Sequence, residues 1–255
     1  MRRALTVEVL KMRRSPVVLT ASVLIVVLIP LLCLGFLAVA ENGGAGAAAL
    51  KAQAMAVGEG WDGYLGLLAQ MIAVAMFIGP GVVIAWAFGR EFSDRTFPSL
   101  FALPVSKGST ATAKFLVLLA WGTVLTVLLL IVSVLAGLAT DVGPIQPADL
   151  VAPLARLAVA GVLTVVIAMT IGLVASVGRG YLPAIGAIIL LTMAAQVSVL
   201  FGTGGWFPYA APGLFAIEEA AGVSHVNAIQ LLLVPLTSAI VTWLTVRWWD
   251  RAEVD

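Results

Sequence analysis

Long apolar stretches alternate with short polar connectors along the chain. A helix needs about 20 apolar residues to cross a hydrocarbon core about 30 Å thick. Six stretches meet this demand, at about 16–40, 64–89, 115–139, 157–178, 181–201 and 226–247, and their centres carry no charge. Backbone polar groups must pair internally in lipid, and Gly and Ala are too frequent for a barrel pattern. The pattern therefore predicts six transmembrane helices.

The first residues, 1–15, are basic and amphipathic. Leu5, Val9 and Met12 fall on one helical face of RRALTVEVLKMRR, with cations on the others. Such a segment is typical of a helix that lies along the inner leaflet, with its basic side near anionic headgroups. The alternative is a charged leader that only sets the topology.

A second unusual segment, 202–225, follows the fifth span. No charged residue occurs between Tyr181 and Ile217, which is more than one crossing requires, and the glycines of 202–205 interrupt the helix. We expect a short apolar hairpin that re-enters the membrane between spans five and six. The alternative is an outer loop lying on the surface. The predicted fold is thus an all-α polytopic membrane protein with a single transmembrane domain over 1–255.

Composition agrees with a membrane protein. The 255 residues are 62% hydrophobic and 11% charged, whereas a soluble domain carries about 25% charged residues. The mean hydropathy is +1.11. A single cysteine, Cys33, and a single histidine, His225, leave no disulfide framework and exclude most histidine-based metal sites or catalysis.

Basic residues are distributed unevenly among the connectors. Of the 14 lysines and arginines, all but Lys51 and Arg156 fall in 1–15, 90–114, position 179 and the tail from 247. Cytoplasmic connectors carry an excess of Lys and Arg. The bias predicts a multi-pass protein of the cell membrane with both termini in the cytoplasm, and it gives no indication of nucleic-acid binding.

Motifs for chemistry are weak or absent in the sequence. Residues 58–63 match GxGxxG, but they lie in an acidic connector rather than in a βαβ unit, and 108–114 lack the second glycine of a phosphate loop. We therefore expect no enzyme activity and no bound cofactor. The uncharged centres of the spans also argue against a proton- or sodium-driven carrier.

The connector 90–114, REFSDRTFPSLFALPVSKGSTATAK, is unusually rich in charged and aromatic residues. Glu91 and Arg95 are four residues apart and can pair on one helical face. Phe97, Leu100 and Phe101 would form an apolar ridge on a short helix beginning near Pro98. Such a helix suits a groove on a soluble partner. The alternative is a ridge that rests on the inner leaflet.

The third span is expected to begin within this connector. Ser109 or Thr110 can cap its helix, and Lys114 would mark its wetted end.

The connector resembles the corresponding loop of type-2 ABC transporter permeases, especially the bacterial antibiotic-resistance and drug-export branch. The matching order is an acidic residue, Arg-Thr, a leucine/phenylalanine pair, Pro-Val-Ser-Lys and a lysine at the head of the next span. The six-span layout agrees over the whole chain. Many family members carry Gly-Thr where this chain has Arg95-Thr96.

This resemblance implies a coupling helix in 90–114 that docks on a separate cytoplasmic ATPase. Two ATPase subunits, which bind ATP and Mg, would pair with two permease subunits, expected here as a homodimer. The second and fifth spans would flank the route. The implied ATPase contacts are Glu91, Arg95, Phe97, Leu100, Phe101 and Lys107. Gly79, Pro80 and Gly81 in the second span form a possible hinge.

The function that follows is the permease subunit of an ATP-driven exporter. Because the spans offer little charge, we expect an amphipathic or hydrophobic substrate such as a drug, a peptide antibiotic or a lipid-like molecule. Two other hypotheses stay open at this point. One is a non-transporting membrane anchor or sensor that docks a cytoplasmic partner, and the other is a stand-alone secondary transporter.

Overall fold

The structure is a computed structural model that describes residues 2–42, 46–56, 58–97, 106–144, 146–221 and 226–252, without the side chains of Ala48 and of residues 218–221. Within these ranges the chain is helical and contains no strand. The all-α prediction is therefore confirmed.

Eleven α-helices follow one another in the described ranges. They are α1 (Arg2–Arg13), α2 (Pro16–Val23), α3 (Ile29–Glu41), α4 (Ala47–Met55), α5 (Gly60–Ser93), α6 (Lys107–Ala139), α7 (Pro147–Ala168), α8 (Ile171–Val177), α9 (Tyr181–Leu200), α10 (Ala211–Ala221) and α11 (Ala228–Arg251). A π-helical turn, Leu24–Leu28, joins α2 to α3, and a 3-10 turn, Gly204–Trp206, precedes α10.

Six helical stretches are long and apolar enough to cross a membrane. They are Pro16–Glu41, Gly60–Ser93, Lys107–Ala139, Pro147–Val177, Tyr181–Leu200 and Ala228–Arg251. The six predicted spans are confirmed. Several helices extend beyond the apolar stretches, because a helix continues into the interface wherever its polar residues find partners.

The second span, α5, lies at the centre of the bundle and contacts α7, α8, α9 and α10. It stays helical through Gly79, Pro80 and Gly81. A Cβ atom at Gly79 would lie 2.5 Å from Ile25 Cδ1 of the first span, and one at Gly81 would lie 3.1 Å from Ile188 Cδ1 of α9. Both glycines thus permit close packing of neighbouring spans. Their use as a hinge stays a prediction.

The first span contains a local irregularity opposite Gly79. The π turn Leu24–Leu28 precedes Pro30, which has no N–H for a helical hydrogen bond. Widening the helix by one residue accommodates this loss, and it places Ile25 against α5.

The fourth span is interrupted between α7 and α8. Gly172 N–H donates to the Met169 carbonyl and Leu173 N–H to the Thr170 carbonyl, so the backbone switches to three-residue spacing. Tyr209 Oη donates to Thr170 Oγ1 at 3.1 Å, which joins this break to the segment before α10. Ser238 Oγ of α11 donates to the Val166 carbonyl at 2.6 Å. Three elements therefore meet at this break.

The segment predicted as a re-entrant hairpin contains the 3-10 turn and α10, which packs against α5 and α7. Residues 222–225, including His225, lie outside the described residues. The packing gives the apolar segment a protein surface to cover, and its re-entrant placement in the bilayer stays a prediction.

Substitution of Gly89 tests the close contact between α5 and the start of α9. A Cβ at this position would lie 2.5 Å from the backbone nitrogen of Tyr181 and 2.7 Å from the carbonyl carbon of Gly180. Because backbone atoms cannot swing aside, we expect Gly89→Ala to lower stability by about 1–3 kcal/mol, measured by thermal unfolding of the detergent-solubilised protein.

The matched control is Gly186→Ala in α9, where a Cβ would meet no atom within 4 Å. Alanine favours a helix over glycine by about 1 kcal/mol, so this variant should unfold at an unchanged or higher temperature. Equal destabilisation by the two substitutions would contradict the packing described here.

Candidate functional site

The first helix, the last helix and the connector between α5 and α6 meet at one end of the bundle. Lys11 of α1 contacts Glu91 of α5, and Gly108 of α6 contacts Asp250 near the end of α11. We call this region the basic end, and we call the opposite end, where α3 ends and α5 begins, the far end. The connector therefore shares its end of the bundle with the amphipathic helix and the C-terminal helix.

Four charged side chains form a closed cluster at the basic end. Lys114 Nζ lies 2.9 Å from Glu8 Oε2 and 2.8 Å from Glu91 Oε1. Lys11 Nζ lies 3.1 Å from Glu8 Oε1 and 2.9 Å from Glu91 Oε1. The second Glu91 oxygen accepts a hydrogen bond from Thr96 Oγ1 at 2.7 Å. This charge cluster alternates in sign and ties α1, α5 and α6 together.

Three side chains of the charge cluster, those of Glu8, Glu91 and Lys114, are buried, whereas that of Lys11 is partly exposed. The exposed fraction of the residue is 2% for Glu91 and Lys114 and 5% for Glu8. Breaking a buried pair leaves an uncompensated charge and costs several kcal/mol. Two sequence predictions are therefore wrong. Lys114 is not a wetted helix end, and Glu91 pairs with the two lysines rather than with Arg95, which lies beyond the end of α5.

The surroundings of Lys11 favour its protonated, positively charged form. Burial disfavours the ammonium, but the carboxylates of Glu8 and Glu91 outweigh it and raise the pKa of Lys11 above its ordinary value of 10.5. A raised pKa in the folded state adds stability below the ordinary pKa, and that stability is lost as the pH rises through the folded value. Lys11 thus stays charged throughout the physiological range.

Aromatic side chains support the connector beside the charge cluster. The Phe97 ring stacks on Phe92 with centroids 4.6 Å apart and meets the Trp249 ring edge-on at 5.4 Å. Trp249 is fully buried, and its Nε1 donates to Ser176 Oγ of α8 at 2.8 Å. The connector is thereby packed onto the C-terminal helix and the fourth span where it leaves α5.

The end of the connector that leads into α6 is held by other contacts. The predicted caps, Ser109 and Thr110, are replaced by Ser106, whose side chain accepts from Ser109 N at 3.2 Å. Asp250 Oδ1 accepts from Gly108 N at 2.8 Å, so a carboxylate of α11 satisfies one free amide of the α6 N-terminus. Lys107 Nζ donates to the Ala252 carbonyl. The helix α6 thus begins earlier than its hydrophobic pattern indicates.

Arg95 occupies a backbone position that normally favours glycine. Thr96 N donates to the Glu91 carbonyl at 3.0 Å and Arg95 N to the Phe92 carbonyl at 3.1 Å, which is the Schellman ending of a helix. The φ angle of Arg95 is +55°. Because this left-handed conformation suits glycine, a glycine would be accommodated at this position with less backbone strain than arginine.

The helix α8 ends in the same way at the same end of the bundle. Gly180 N donates to the Ala175 carbonyl and Arg179 N to the Ser176 carbonyl, and the φ angle of Arg179 is +50°. A Cβ at Gly180 would lie 3.7 Å from Ser93 Oγ, so the two helix ends are neighbours. The side chains of Arg95 and Arg179 are both exposed. We call these two residues the arginine pair.

The predicted contact residues occupy different environments. Arg95 is exposed, Lys107 is half-buried, and Glu91 and Phe97 are buried. Leu100 and Phe101 lie outside the described residues. The structure therefore brings Glu91 and Phe97 together as internal supports of the connector, whereas Arg95 lies on the surface.

Sequence reasoning missed residues that reach this end from distant parts of the chain. They are Glu8, Lys11, Arg179, Trp249 and Asp250. A signal existed for Glu8, the one acidic residue of the basic segment 1–15, three residues before Lys11. Pairing with Glu91 and Lys114 spans about 80 and 106 positions of sequence, which no local pattern reports.

The fold and this end together define a multi-pass helical membrane protein with a braced connector between its second and third spans. Residues 4–195 match the family described as ABC-2 family transporter protein. This match covers most of the chain, so the protein belongs to the ABC-2 transporter family, whose members are membrane components of ABC transporters. Family membership implies partnership with an ABC ATPase subunit.

A curated relative supports the same placement. The chain is 26% identical over 169 residues to a bacitracin transport permease protein, BCRB, of Bacillus licheniformis. The match covers 63% of this chain and 80% of the relative.

Neutralising Lys114 tests the charge cluster. The variant Lys114→Met keeps the length of the side chain but leaves Glu8 and Glu91 with Lys11 alone, in a nearly dry site. We expect a loss of about 3–5 kcal/mol in the free energy of unfolding, measured in detergent. Adding Glu91→Gln to this variant should recover part of the loss, because it removes an unpaired charge.

The control is Lys51→Met, since Lys51 is exposed on α4. Exposed substitutions change stability by about 0.5 kcal/mol or less. If Lys114→Met were as mild as this control, the four charges would not hold the helices together.

Proposed function

We propose that this chain is the permease subunit of an ABC exporter and that the connector after α5 receives the energy of a cytoplasmic ATPase. The observation that carries the proposal is the bracing of the connector at both its ends. The charge cluster and the aromatic side chains hold its start, and Ser106 and Asp250 hold its exit. A force applied there would reach α1, α5, α6 and α11 together.

Charge supports a cytoplasmic location for the basic end. The connectors and termini that meet there hold most of the lysines and arginines, which favours the cytoplasmic side. Both termini then face the cytoplasm, where an ATPase is available. We propose two ATPase subunits, which bind ATP and Mg, and two copies of this chain.

The arginine pair supports a direct role for Arg95 in docking. A non-glycine residue in the left-handed region costs about 1 kcal/mol or more and is often found at functional sites. The guanidinium groups of Arg95 and Arg179 can each form paired hydrogen bonds with carboxylates. We propose that the arginine pair binds acidic residues of the ATPase, with Leu100, Phe101 and Lys107 as further contacts.

Glu91 and Phe97 take a different part in this proposal. Because they are buried, we propose that they transmit movement of the connector to other helices. Glu91 contacts Lys114 of α6, and Phe97 contacts Trp249 of α11.

The spans favour an amphipathic or hydrophobic substrate. A cavity of about 100 Å³ lies between α5, α9 and α10, where Thr192, Gln196 and Tyr209 supply polar groups beside apolar side chains. Sites for drug-sized ligands have volumes of about 300–1,000 Å³, so this one would have to widen during transport. We propose export of a drug, peptide antibiotic or lipid-like molecule. The name of the relative BCRB, a bacitracin transport permease, supports a peptide antibiotic.

The test uses Arg95→Gly in the complete complex with its ATPase. Glycine relieves the left-handed backbone and removes the guanidinium, so the variant should be more stable by about 1 kcal/mol. We expect ATP-driven transport to fall about tenfold, as for the loss of one hydrogen bond to a charged group. The measurements are co-purification of the ATPase, thermal unfolding and transport in proteoliposomes.

Two further variants separate charge from backbone. Arg95→Lys should retain much of the transport, whereas Arg95→Glu should weaken co-purification. Failure of any ABC ATPase to co-purify with the unaltered chain would overturn the proposed function. Unchanged transport by Arg95→Gly and Arg95→Glu would overturn the docking role alone.

A further inference from the structure

A cavity of about 530 Å³ lies at the far end of the bundle, between α5, α7 and α10. Its size falls within the range of small-molecule sites, about 300–1,000 Å³. It is separate from the braced connector and from the smaller cavity beside α9. Nothing in the proposed coupling path uses it.

Two helical stripes of matching register form its walls. The α5 stripe is Asp62, Leu65, Gly66 and Ala69, and the α7 stripe is Asp149, Ala152, Pro153 and Arg156. In each, the residues stand at i, i+3, i+4 and i+7, which is one face of a helix. Small residues among them, Gly66 and Ala69 of α5 and Ala152 of α7, leave space between the two stripes.

The polar groups of the cavity are arranged in layers. Asp62 and Asp149 lie in the first turns of α5 and α7 and are exposed at the mouth. Arg156 lies two turns further along α7, about 10 Å by helical rise, with its guanidinium carbon 5.8 Å from the Phe215 ring centroid. Leu65, Leu157 and Ala216 are buried and supply an apolar wall. The order from the mouth inwards is thus acidic, then basic with apolar surroundings.

The positions of Asp62 and Asp149, taken alone, have a simpler explanation than ligand binding. Asp residues in a first helical turn stabilise the positive end of the helix dipole. That role requires neither a cavity nor a cation deeper in the wall. Arg156 lies two turns into α7, immediately before the apolar stretch 157–178, and it is partly buried. Because a guanidinium carries five N–H donors, Arg156 can bind an anion in addition to its contacts within the protein.

We propose that this cavity binds a zwitterionic phospholipid whose headgroup carries a primary ammonium group. The ammonium lies between Asp62 and Asp149, the phosphate binds Arg156, and an acyl chain lies along Leu65, Leu157 and Ala216. In such a lipid the ammonium is outermost, the phosphate follows and the acyl chains are deepest. This sequence of groups matches the layers of the cavity.

Other amphiphiles match fewer of these layers. An anionic phospholipid offers a phosphate to Arg156 but no cation to the two carboxylates. A cationic amphiphile without phosphate offers the reverse. The cavity should therefore select among lipids, independently of any ATPase or transport activity.

The test is native mass spectrometry of the purified full-length chain, released from micelles that contain equal amounts of phosphatidylethanolamine and phosphatidylglycerol. We expect retained phosphatidylethanolamine to exceed retained phosphatidylglycerol. Arg156→Gln should weaken phosphatidylethanolamine binding about tenfold, while Arg156→Lys should keep most of it. The double variant Asp62→Asn/Asp149→Asn should abolish the preference, and Glu41→Gln, an exposed carboxylate outside the cavity, should leave it unchanged.

A second pair of variants tests the cavity by steric bulk, in case the charge variants misfold. Ala152→Leu fills the cavity from an exposed position of α7, whereas Ala155→Leu adds the same bulk to an exposed position that does not line it. We expect loss of the bound lipid in the first variant and retention in the second. Equal retention of the two lipids by the unaltered chain, or wild-type lipid binding by both Arg156→Gln and Ala152→Leu, would overturn the proposal.

Discussion

The arrangement of the basic end depends on four paired charges, three of which are removed from water. Lys11 and Lys114 alternate with Glu8 and Glu91, so each ammonium has two carboxylate partners within 3.1 Å. Taking these ions out of water is expensive, and only close and complete pairing offsets that cost. The cluster joins side chains of α1, α5 and α6. It fixes the amphipathic helix α1 against the junction of the second and third spans.

This constraint determines what the connector can do. Glu91 holds Thr96 through its side chain and its carbonyl, while Phe97 packs on Trp249 of the last helix. The exit of the connector is held by Asp250 of the same helix. A partner that pushes on the exposed Arg95 would thus move parts of four helices. A loosely attached loop would dissipate the same displacement.

The spans could be predicted from sequence because their signal is local and repeated. Every span is a run of apolar residues, and helix formation within lipid requires no distant partner. The family could be identified from 25 residues and a layout. In contrast, Glu91 and Lys114 were misjudged because a charge near a span end normally contacts water. Their burial depends on Glu8 and Lys11, which a local pattern cannot place beside them.

Backbone conformation was also beyond the reach of the sequence patterns. Arg95 was treated as a helical neighbour of Glu91, although the helix ends at Ser93 and Arg95 turns to a positive φ. The departure from glycine at this position was visible in the sequence, but its conformational cost became apparent only in the structure. The far-end cavity could likewise not be predicted from the sequence, because its two stripes come from helices that begin about 90 residues apart.

The most direct test of the central claim is chemical cross-linking of the connector to the ATPase. The chain has one cysteine, Cys33, which is buried, so a cysteine introduced at exposed Asp94 provides a selective attachment point. We expect Asp94→Cys to cross-link to the co-purified ATPase, whereas Leu50→Cys, exposed on α4 near the far end, should not. Equal cross-linking from both positions, or none from Asp94→Cys in a complex that still transports, would contradict the central claim.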